Sequence, residues 1–196
     1  MFLSKRFSVF ALIFTILLGA LNPAQAAKSG SSSLRTFGDY AQIVNPLFVA
    51  GLASQEIGFG HFAIIYGQSW VSMHGIKLIS KSAKWSASKR PNTGNKKDRY
   101  EGMPSGHTNS AWVAASYVRM FSEHKYLSIP LYATAIVTGC SRVKAKEHTT
   151  LQVIAGAALA ELVTYINSRL DWSDEYQSTN FYFGGDEVSA RFEFRF

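Results

Sequence analysis

The sequence predicts an all-α fold, a helical bundle that ends in a C-terminal β-hairpin. Two observations predict the bundle: long apolar segments alternate with short polar breaks, and 47% of the 196 residues are hydrophobic, enough for one buried core. A third observation predicts the hairpin. Aromatic and charged residues alternate at the end of the chain, with the period of a strand that has one apolar face.

Taken in chain order, five segments are predicted as helices, at residues 40–54, 59–79, 107–121, 126–140 and 149–170. Pro46 and several glycines interrupt the first two. A basic, polar loop over residues 81–102 follows the second helix, and Arg90-Pro91 with the turn residues after it breaks any helix there. The hairpin is predicted from strands at 180–183 and 188–196 around the turn 184–187.

The N-terminus has the pattern of a targeting segment. Lys5 and Arg6 precede an apolar run at residues 7–21, and Ala24-Gln25-Ala26 supplies the small residues of a cleavage site. We therefore predict a signal peptide at 1–26, a Ser/Gly-containing linker at 27–38, a helical domain at 39–170 and a tail at 171–196. The prediction is an exported protein of the cell envelope; the alternative is an uncleaved anchor.

Three short blocks carry the candidate chemistry: Lys84 with Arg90-Pro91, Pro104-Ser105-Gly106-His107, and Ser141-Arg142 with His148. A phosphate ester needs cations around its oxygens, a nucleophile, and an acid that protonates the leaving oxygen. Because the chain has no metal-ligand cluster, arginine and lysine would have to supply the positive charge. His148 is a candidate nucleophile and His107 a candidate proton carrier.

On these blocks the chain resembles the type 2 phosphatidic acid phosphatase (PAP2) and vanadium haloperoxidase superfamily. The signature of that superfamily is Lys-x6-Arg-Pro, then Pro-Ser-Gly-His, then Ser-Arg-x5-His-x3-Asp, and the likeness spans residues 39–165. The resemblance implies a helical bundle of the PAP2 type. It also implies that His148 attacks phosphorus to form a phosphohistidine and that His107 protonates the departing alkoxide.

The same resemblance assigns the phosphate oxygens to a set of donors: Lys84, Arg90, Ser105, Gly106 and Arg142. It implies neither a metal nor another cofactor. Two positions depart from the signature. Gln152 stands where the superfamily has the Asp that orients the nucleophilic histidine, and an Asp-to-amide exchange in a serine-protease triad costs about 10⁴ in turnover. Lys84 lies one residue closer to Arg90 than the lysine of the signature does. It can therefore reach the pocket only if the loop between the two residues is one residue shorter than in the signature.

Composition favours an apolar neighbour: 14% of the residues are aromatic and only 17% are charged. The leading hypothesis is therefore a phosphatase of a lipid phosphate, of the phosphatidic acid, phosphatidylglycerophosphate or polyprenyl phosphate type. It would act at a membrane surface or bilayer with its pocket facing the periplasm, at the inner membrane; a soluble periplasmic protein is the alternative. No nucleic-acid motif is present, and no protein partner can be inferred.

Two other functions remain open at this point. The first is a lipid-phosphate binding protein with weakened turnover, motivated by Gln152 and by the displaced Lys84. The second is a vanadate-dependent haloperoxidase, which shares the phosphate cradle but is usually built on a larger chain. Cys140 is the single cysteine, so no intramolecular disulfide can form.

Overall fold

The computed structural model describes residues 30–91, 99–170, 180–183 and 188–191. Within these segments the chain forms five α-helices and two short 3-10 turns, at Ser86–Ser88 and Lys125–Leu127. The helices are α1 (Gly30–Ala53), α2 (Phe59–Ser82), α3 (Gly106–Phe121), α4 (Ser128–Lys144) and α5 (Thr150–Asn167). The prediction of an all-α bundle is confirmed.

The tail contributes two strands, β1 (Asn180–Phe183) and β2 (Val188–Arg191), which pair antiparallel with Asn180 opposite Arg191. The turn at 184–187 and the residues 192–196 lie outside the described part of the chain. The full hairpin with its alternating aromatic face therefore stays a prediction, as does the signal peptide at 1–26.

Helix α3 is the centre of the bundle, because it packs against each of the other four helices. Val113, Ala114, Ala115 and Val118 are completely buried along it. Small side chains let the neighbouring helices approach closely. The closest approach is at Gly156 of α5, where a Cβ would lie 2.5 Å from the Ser105 carbonyl oxygen just before α3.

Helix α1 is longer than predicted. It begins at Gly30, so much of the segment predicted as a linker at 27–38 is helical, and it continues through Pro46. Proline leaves the carbonyl four residues earlier without its usual N–H donor. That carbonyl belongs to Gln42, and it accepts a hydrogen bond of 2.7 Å from the Ser110 hydroxyl of α3. Packing against α3 therefore compensates the proline, which sequence alone does not reveal.

Much apolar surface is exposed on the outside of the bundle. Leu47, Leu78, Ile79 and Ile129 are each more than 60% exposed. Among the described residues, one helix, α5, is long and apolar enough to cross a membrane by length and composition, and 33% of it is buried. Exposed apolar area on this scale is typical of a surface that meets another apolar phase.

Candidate active site

A cavity of about 420 Å³ opens between α1, α2 and the N-terminal end of α3. Four of the residues singled out in the sequence line it: Arg90, Gly106, His107 and His148. They come from three segments of the chain, the loop after α2, the first turn of α3 and the loop before α5. The fold thus brings at least one member of each sequence block to a single pocket.

The first turn of α3 presents an anion-binding end to the cavity. Ser105 is the N-cap residue, but its side chain caps no backbone N–H, because its hydroxyl accepts a 3.1 Å bond from Thr108 instead. The first N–H groups of a helix have no intrahelical partner, and the helix dipole is positive there. Gly106 and His107 line the cavity at this end, so a phosphate oxygen there would meet backbone donors.

Two cations face the same space. The Arg90 Nε is buried and has no hydrogen-bond partner among the described residues, which is costly for a guanidinium unless a ligand completes the site. Lys77 of α2 also lines the cavity, and its ammonium donates a 2.7 Å bond to the Glu101 carbonyl oxygen. Lys84, the lysine proposed from the sequence, is exposed and is not among the lining residues.

The position of Lys84 follows from the backbone. Its φ of 49° lies in the left-handed region, and it occurs in the turn that ends α2. Lys77 lies inside α2, one turn after Met73 and His74, so it shares their cavity-facing side. The structure therefore replaces Lys84 by Lys77 as the lysine of the candidate site.

His148 is held in one tautomer. Its Nδ1 lies 2.8 Å from the Gly102 carbonyl oxygen and 3.1 Å from the Gln152 Oε1. A carbonyl oxygen can only accept, so Nδ1 carries the proton and Nε2 keeps its lone pair. Burial, followed by the charges of Lys77 and Arg90, lowers the pKa of His148 to about 3. At neutral pH His148 is an uncharged imidazole with a nucleophilic Nε2.

Gln152 is completely buried and joins this histidine to the Arg90 loop. Its Nε2 donates to the carbonyl oxygens of Ala87 at 3.0 Å and Lys89 at 2.9 Å. Those two bonds fix the amide orientation, so that Oε1 must face His148 and the Thr149 N–H. Gly102 leaves the space for this arrangement: a Cβ there would lie 2.6 Å from the amide of Gln152.

A carboxylate that the sequence argument missed holds His107. The Asp39 Oδ1 of α1 lies 3.0 Å from the Nε2 of His107 and 2.8 Å from the Nη1 of Arg142. A carboxylate oxygen accepts, so Nε2 of His107 carries a proton. Nδ1 has no hydrogen-bond partner in the described part of the chain, and it holds a proton for a leaving group only when the imidazole is in its cationic form. Asp39 is 68 residues from His107 in the sequence, and no local spacing indicates the pair.

Arg142 and Ser105 do not line the cavity. Arg142 is 1% exposed, and each of its nitrogens is engaged: Nε with the Ser141 hydroxyl, Nη1 with Asp39 and Glu147, and Nη2 with the Arg35 carbonyl oxygen. Ser105 is completely buried, and its backbone N–H donates to the Gln152 carbonyl oxygen. Both residues therefore support the wall of the site in this structure, and neither is placed to touch a phosphate.

The family profile of the PAP2 superfamily matches residues 8–174 of the chain. The chain belongs to the PAP2 superfamily. Among curated proteins, it is similar to a lipid A 4'-phosphatase of Helicobacter pylori, with 30% identity over 151 residues that cover 73% of each chain. No solved structure matches the chain significantly.

Compared with the PAP2 signature, the structure adds a face of α2 to the site. Trp70, Met73, His74 and Lys77 all line the cavity, at the spacing of one helix face. Trp70 and His74 stack with their ring centroids 4.0 Å apart. The sequence contained this signal, since the four residues follow a helical period, but no motif marks them as site residues.

In this PAP2 protein, replacing Asp39 by Asn is expected to move the alkaline limb of the pH–rate profile to lower pH. Burial and then Arg142 lower the pKa of His107, and Asp39 opposes them. A general acid must be protonated, so activity falls as pH rises through its pKa. Without the carboxylate the pKa of His107 drops further, and activity is lost at a lower pH.

The measurement is kcat/KM from pH 4 to 9 for the wild type, Asp39→Asn and Glu123→Gln. Glu123 is exposed and outside the cavity, so its variant should keep the wild-type profile. A uniform drop of the Asp39→Asn profile, with both limbs in place, would mean that Asp39 is only structural.

Proposed function

We propose that this protein is a lipid phosphatase that hydrolyses a phosphomonoester or pyrophosphate through a phosphohistidine, without a metal ion. The observation that carries the proposal is the state of His148: an uncharged imidazole with an unprotonated Nε2, beside the unpaired Nε of Arg90 and the N-terminus of α3. A nucleophile and two kinds of anion-binding donor share one cavity, as phosphoryl transfer requires.

The proposed reaction has two steps. In the first, Nε2 of His148 attacks phosphorus, the ester P–O bond breaks, and His107 gives its proton to the leaving oxygen. In the second, His107 takes a proton from water while the water oxygen attacks phosphorus and the P–N bond breaks. Inorganic phosphate leaves, and both histidines return to their starting states. Arg90, Lys77 and the first N–H groups of α3 neutralise the phosphoryl oxygens throughout.

Two observations support a lipid as the substrate. The similar protein of Helicobacter pylori is named for the 4'-phosphate of lipid A. The outside of the bundle is also unusually apolar, and aliphatic and aromatic side chains such as Ile43 and Trp70 line the cavity while being more than half exposed. A lipid phosphate would place its headgroup in the cavity and its apolar part along this surface.

The proposed location is the cell envelope, with the protein associated with the inner membrane and its cavity facing the periplasm. Helix α5 and the apolar surface support contact with a membrane. The predicted signal peptide, or the same segment as an uncleaved anchor, would direct this export.

A binding protein with weak turnover is the second candidate. It is favoured by Arg142, whose donors are all occupied by protein groups, and by the amide at position 152. The two candidates differ in one readout, because a binding protein would retain a lipid phosphate without releasing inorganic phosphate.

The test is release of inorganic phosphate from phosphatidic acid, phosphatidylglycerophosphate, undecaprenyl pyrophosphate and lipid A in mixed micelles that contain excess EDTA. We expect release from at least one of them. Lys77→Ala should lower it on the order of 100-fold, the usual effect of removing one donor to a developing oxyanion. Lys84→Ala is the matched control, and its activity should stay within about twofold of the wild type, the range of surface substitutions.

Two results would contradict the proposal: activity that appears only when a divalent metal is added, or a larger loss for Lys84→Ala than for Lys77→Ala. Binding of all four lipids with no release from any would favour the binding protein instead.

A further inference from the structure

A second cavity lies between α3, α4 and α5, and it shares no lining residue with the catalytic cavity. Its volume is about 820 Å³, roughly twice that of the catalytic cavity at about 420 Å³. We propose that this groove binds one acyl chain of an anionic membrane lipid whose headgroup phosphate pairs with Lys144. This lipid is distinct from the substrate, so the proposal goes beyond the function proposed above.

The surface that lines the groove is mainly apolar, with aliphatic residues of α4 and α5 and the aromatic rings of Trp112 and Tyr132. Ile136 of α4 is 52% exposed and Ile154 of α5 is 57% exposed, and Val153 and Ala157 of α5 line the groove with them. A space of this size lined by apolar atoms offers water few hydrogen-bond partners, and burying its surface against hydrocarbon is favourable. The occupant must therefore be mainly apolar.

The length of the groove matches one leaflet of a bilayer. Thr150 and Glu161 mark its two ends on α5, and eleven residues of helix correspond to about 16 Å. Half of a hydrocarbon core is about 15 Å thick. An acyl chain lying along α5 would therefore fill the groove from the interface to the bilayer centre.

The two ends of the groove differ in charge. Lys144, in the last turn of α4, is exposed and has no hydrogen-bond or ion-pair partner among the described residues. Glu161, at the other end, already accepts bonds from Trp112 at 3.0 Å and Tyr132 at 3.0 Å, and it also pairs with Arg119. The ammonium group of Lys144 is thus available to bind an anion at one end of the groove, whereas the carboxylate of Glu161 at the other end already has hydrogen-bond and ion-pair partners.

This polarity selects a lipid over a second copy of the chain. An amphiphile with an anionic head and an apolar tail complements a groove with a cation at its mouth and apolar walls. The mouth also lies at the end of the bundle that carries the catalytic cavity, because Lys144 ends α4 and Glu147, which lines the catalytic cavity, lies in the loop that follows. The headgroups of the bound lipid and of a lipid substrate would therefore lie at the same interface.

The test uses the full-length protein in detergent with lipids brominated on the acyl chain, which quench nearby tryptophan fluorescence. Trp112 lines the groove, so a variant with Trp70, Trp85 and Trp172 changed to Phe reports on it alone. We expect saturable quenching, at about fivefold lower concentration for phosphatidylglycerol than for phosphatidylcholine, the factor expected for one basic residue.

Two changes in this background probe the groove. Lys144→Glu should remove the preference for phosphatidylglycerol, whereas Lys125→Glu, the same change in the 3-10 turn before α4, should keep it. Ala157→Phe should fill the groove and abolish saturable quenching.

Native mass spectrometry of the unsubstituted protein gives a measurement that depends on no variant. It should show at least one retained phosphatidylglycerol under conditions that remove phosphatidylcholine. The proposal fails if the two lipids quench equally, if Ala157→Phe quenches like its parent, or if the mass spectrum shows a dimer without lipid.

Discussion

Replacing His148 by Asn is expected to abolish phosphate release, with a loss of at least about 10⁴ in kcat. Asn can still donate to the Gly102 carbonyl oxygen, which now accepts from Nδ1 of His148 at 2.8 Å, so the loop should keep its shape. What disappears is the unprotonated Nε2. No other imidazole can replace it: His107 is engaged with Asp39, and His74 stacks on Trp70 at the rim.

The measurement is single-turnover phosphate release from the best lipid substrate, with a melting temperature for each variant. His124→Asn is the matched control, because His124 lies outside the cavity and should leave kcat within about twofold of the wild type. A folded His148→Asn protein that retained a tenth of the wild-type rate would rule out His148 as the nucleophile.

The low pKa of His148 also predicts the shape of the acid limb. The nucleophile is active when deprotonated, and with a pKa of about 3 it loses activity only as pH falls toward that value. Burial is the main cause, and the positive charges of Lys77 and Arg90 act in the same direction. A bound phosphate would neutralise part of that positive charge and so raise the pKa of His148. The acid limb of the kcat profile should therefore lie at higher pH than the acid limb of the kcat/KM profile.

Replacing Gln152 by Asp, the residue of the PAP2 signature, is expected to lower activity about 100-fold and not to restore it. The amide of Gln152 donates to the carbonyl oxygens of Ala87 and Lys89, and a carboxylate can donate to neither. The shorter side chain would also withdraw from the 3-10 turn that leads to Arg90. A displacement of about 1 Å between catalytic groups can cost about 10² in rate.

The same change should destabilise the fold by about 2–4 kcal/mol, because the carbonyl groups of Ala87 and Lys89 lose their donor and a charge enters a fully buried position. Gln152→Glu is the matched variant: it keeps the chain length and the acceptor for His148, and it loses only the donors. We expect it to lie between the wild type and Gln152→Asp in both kcat and melting temperature.

The opposite result is equally informative. If Gln152→Asp raised phosphate release above that of the wild type, the amide at position 152 would be shown to impair catalysis. A lipid-phosphate binding protein with weakened turnover would then be the better description. We expect the amide instead to be built into the site, since Gly102 leaves it room and its two ends bind separate segments.

The sequence predicted the fold class and the core of the site because both rest on local patterns. Apolar segments marked the helices, and the three blocks placed Arg90, Gly106, His107 and His148 at one cavity. The start of α1 was missed because a Ser/Gly-containing segment is ordinarily a poor helix former, and here residues 30–38 are helical.

The rest of the site depends on contacts between residues that are distant in sequence. Asp39 reaches His107 only because α1 packs on α3, and the donors of Arg142 are occupied because α4 ends beside that carboxylate. The choice of Lys77 over Lys84 depends on the backbone at the end of α2. Motif spacing could not decide it, because Lys77 lies inside α2, farther from Arg90 than the signature spacing reaches, on the face of the helix that lines the cavity.

The most direct test of the account is detection of the covalent intermediate. The protein is mixed with a lipid substrate labelled with ³²P in its terminal phosphate, quenched within milliseconds in alkali and digested. We predict label that is stable in alkali, labile in acid and located on the peptide containing His148, and no label in His148→Asn. Rapid phosphate release from the wild type with no labelled protein at any time, or label on another residue, would contradict the account.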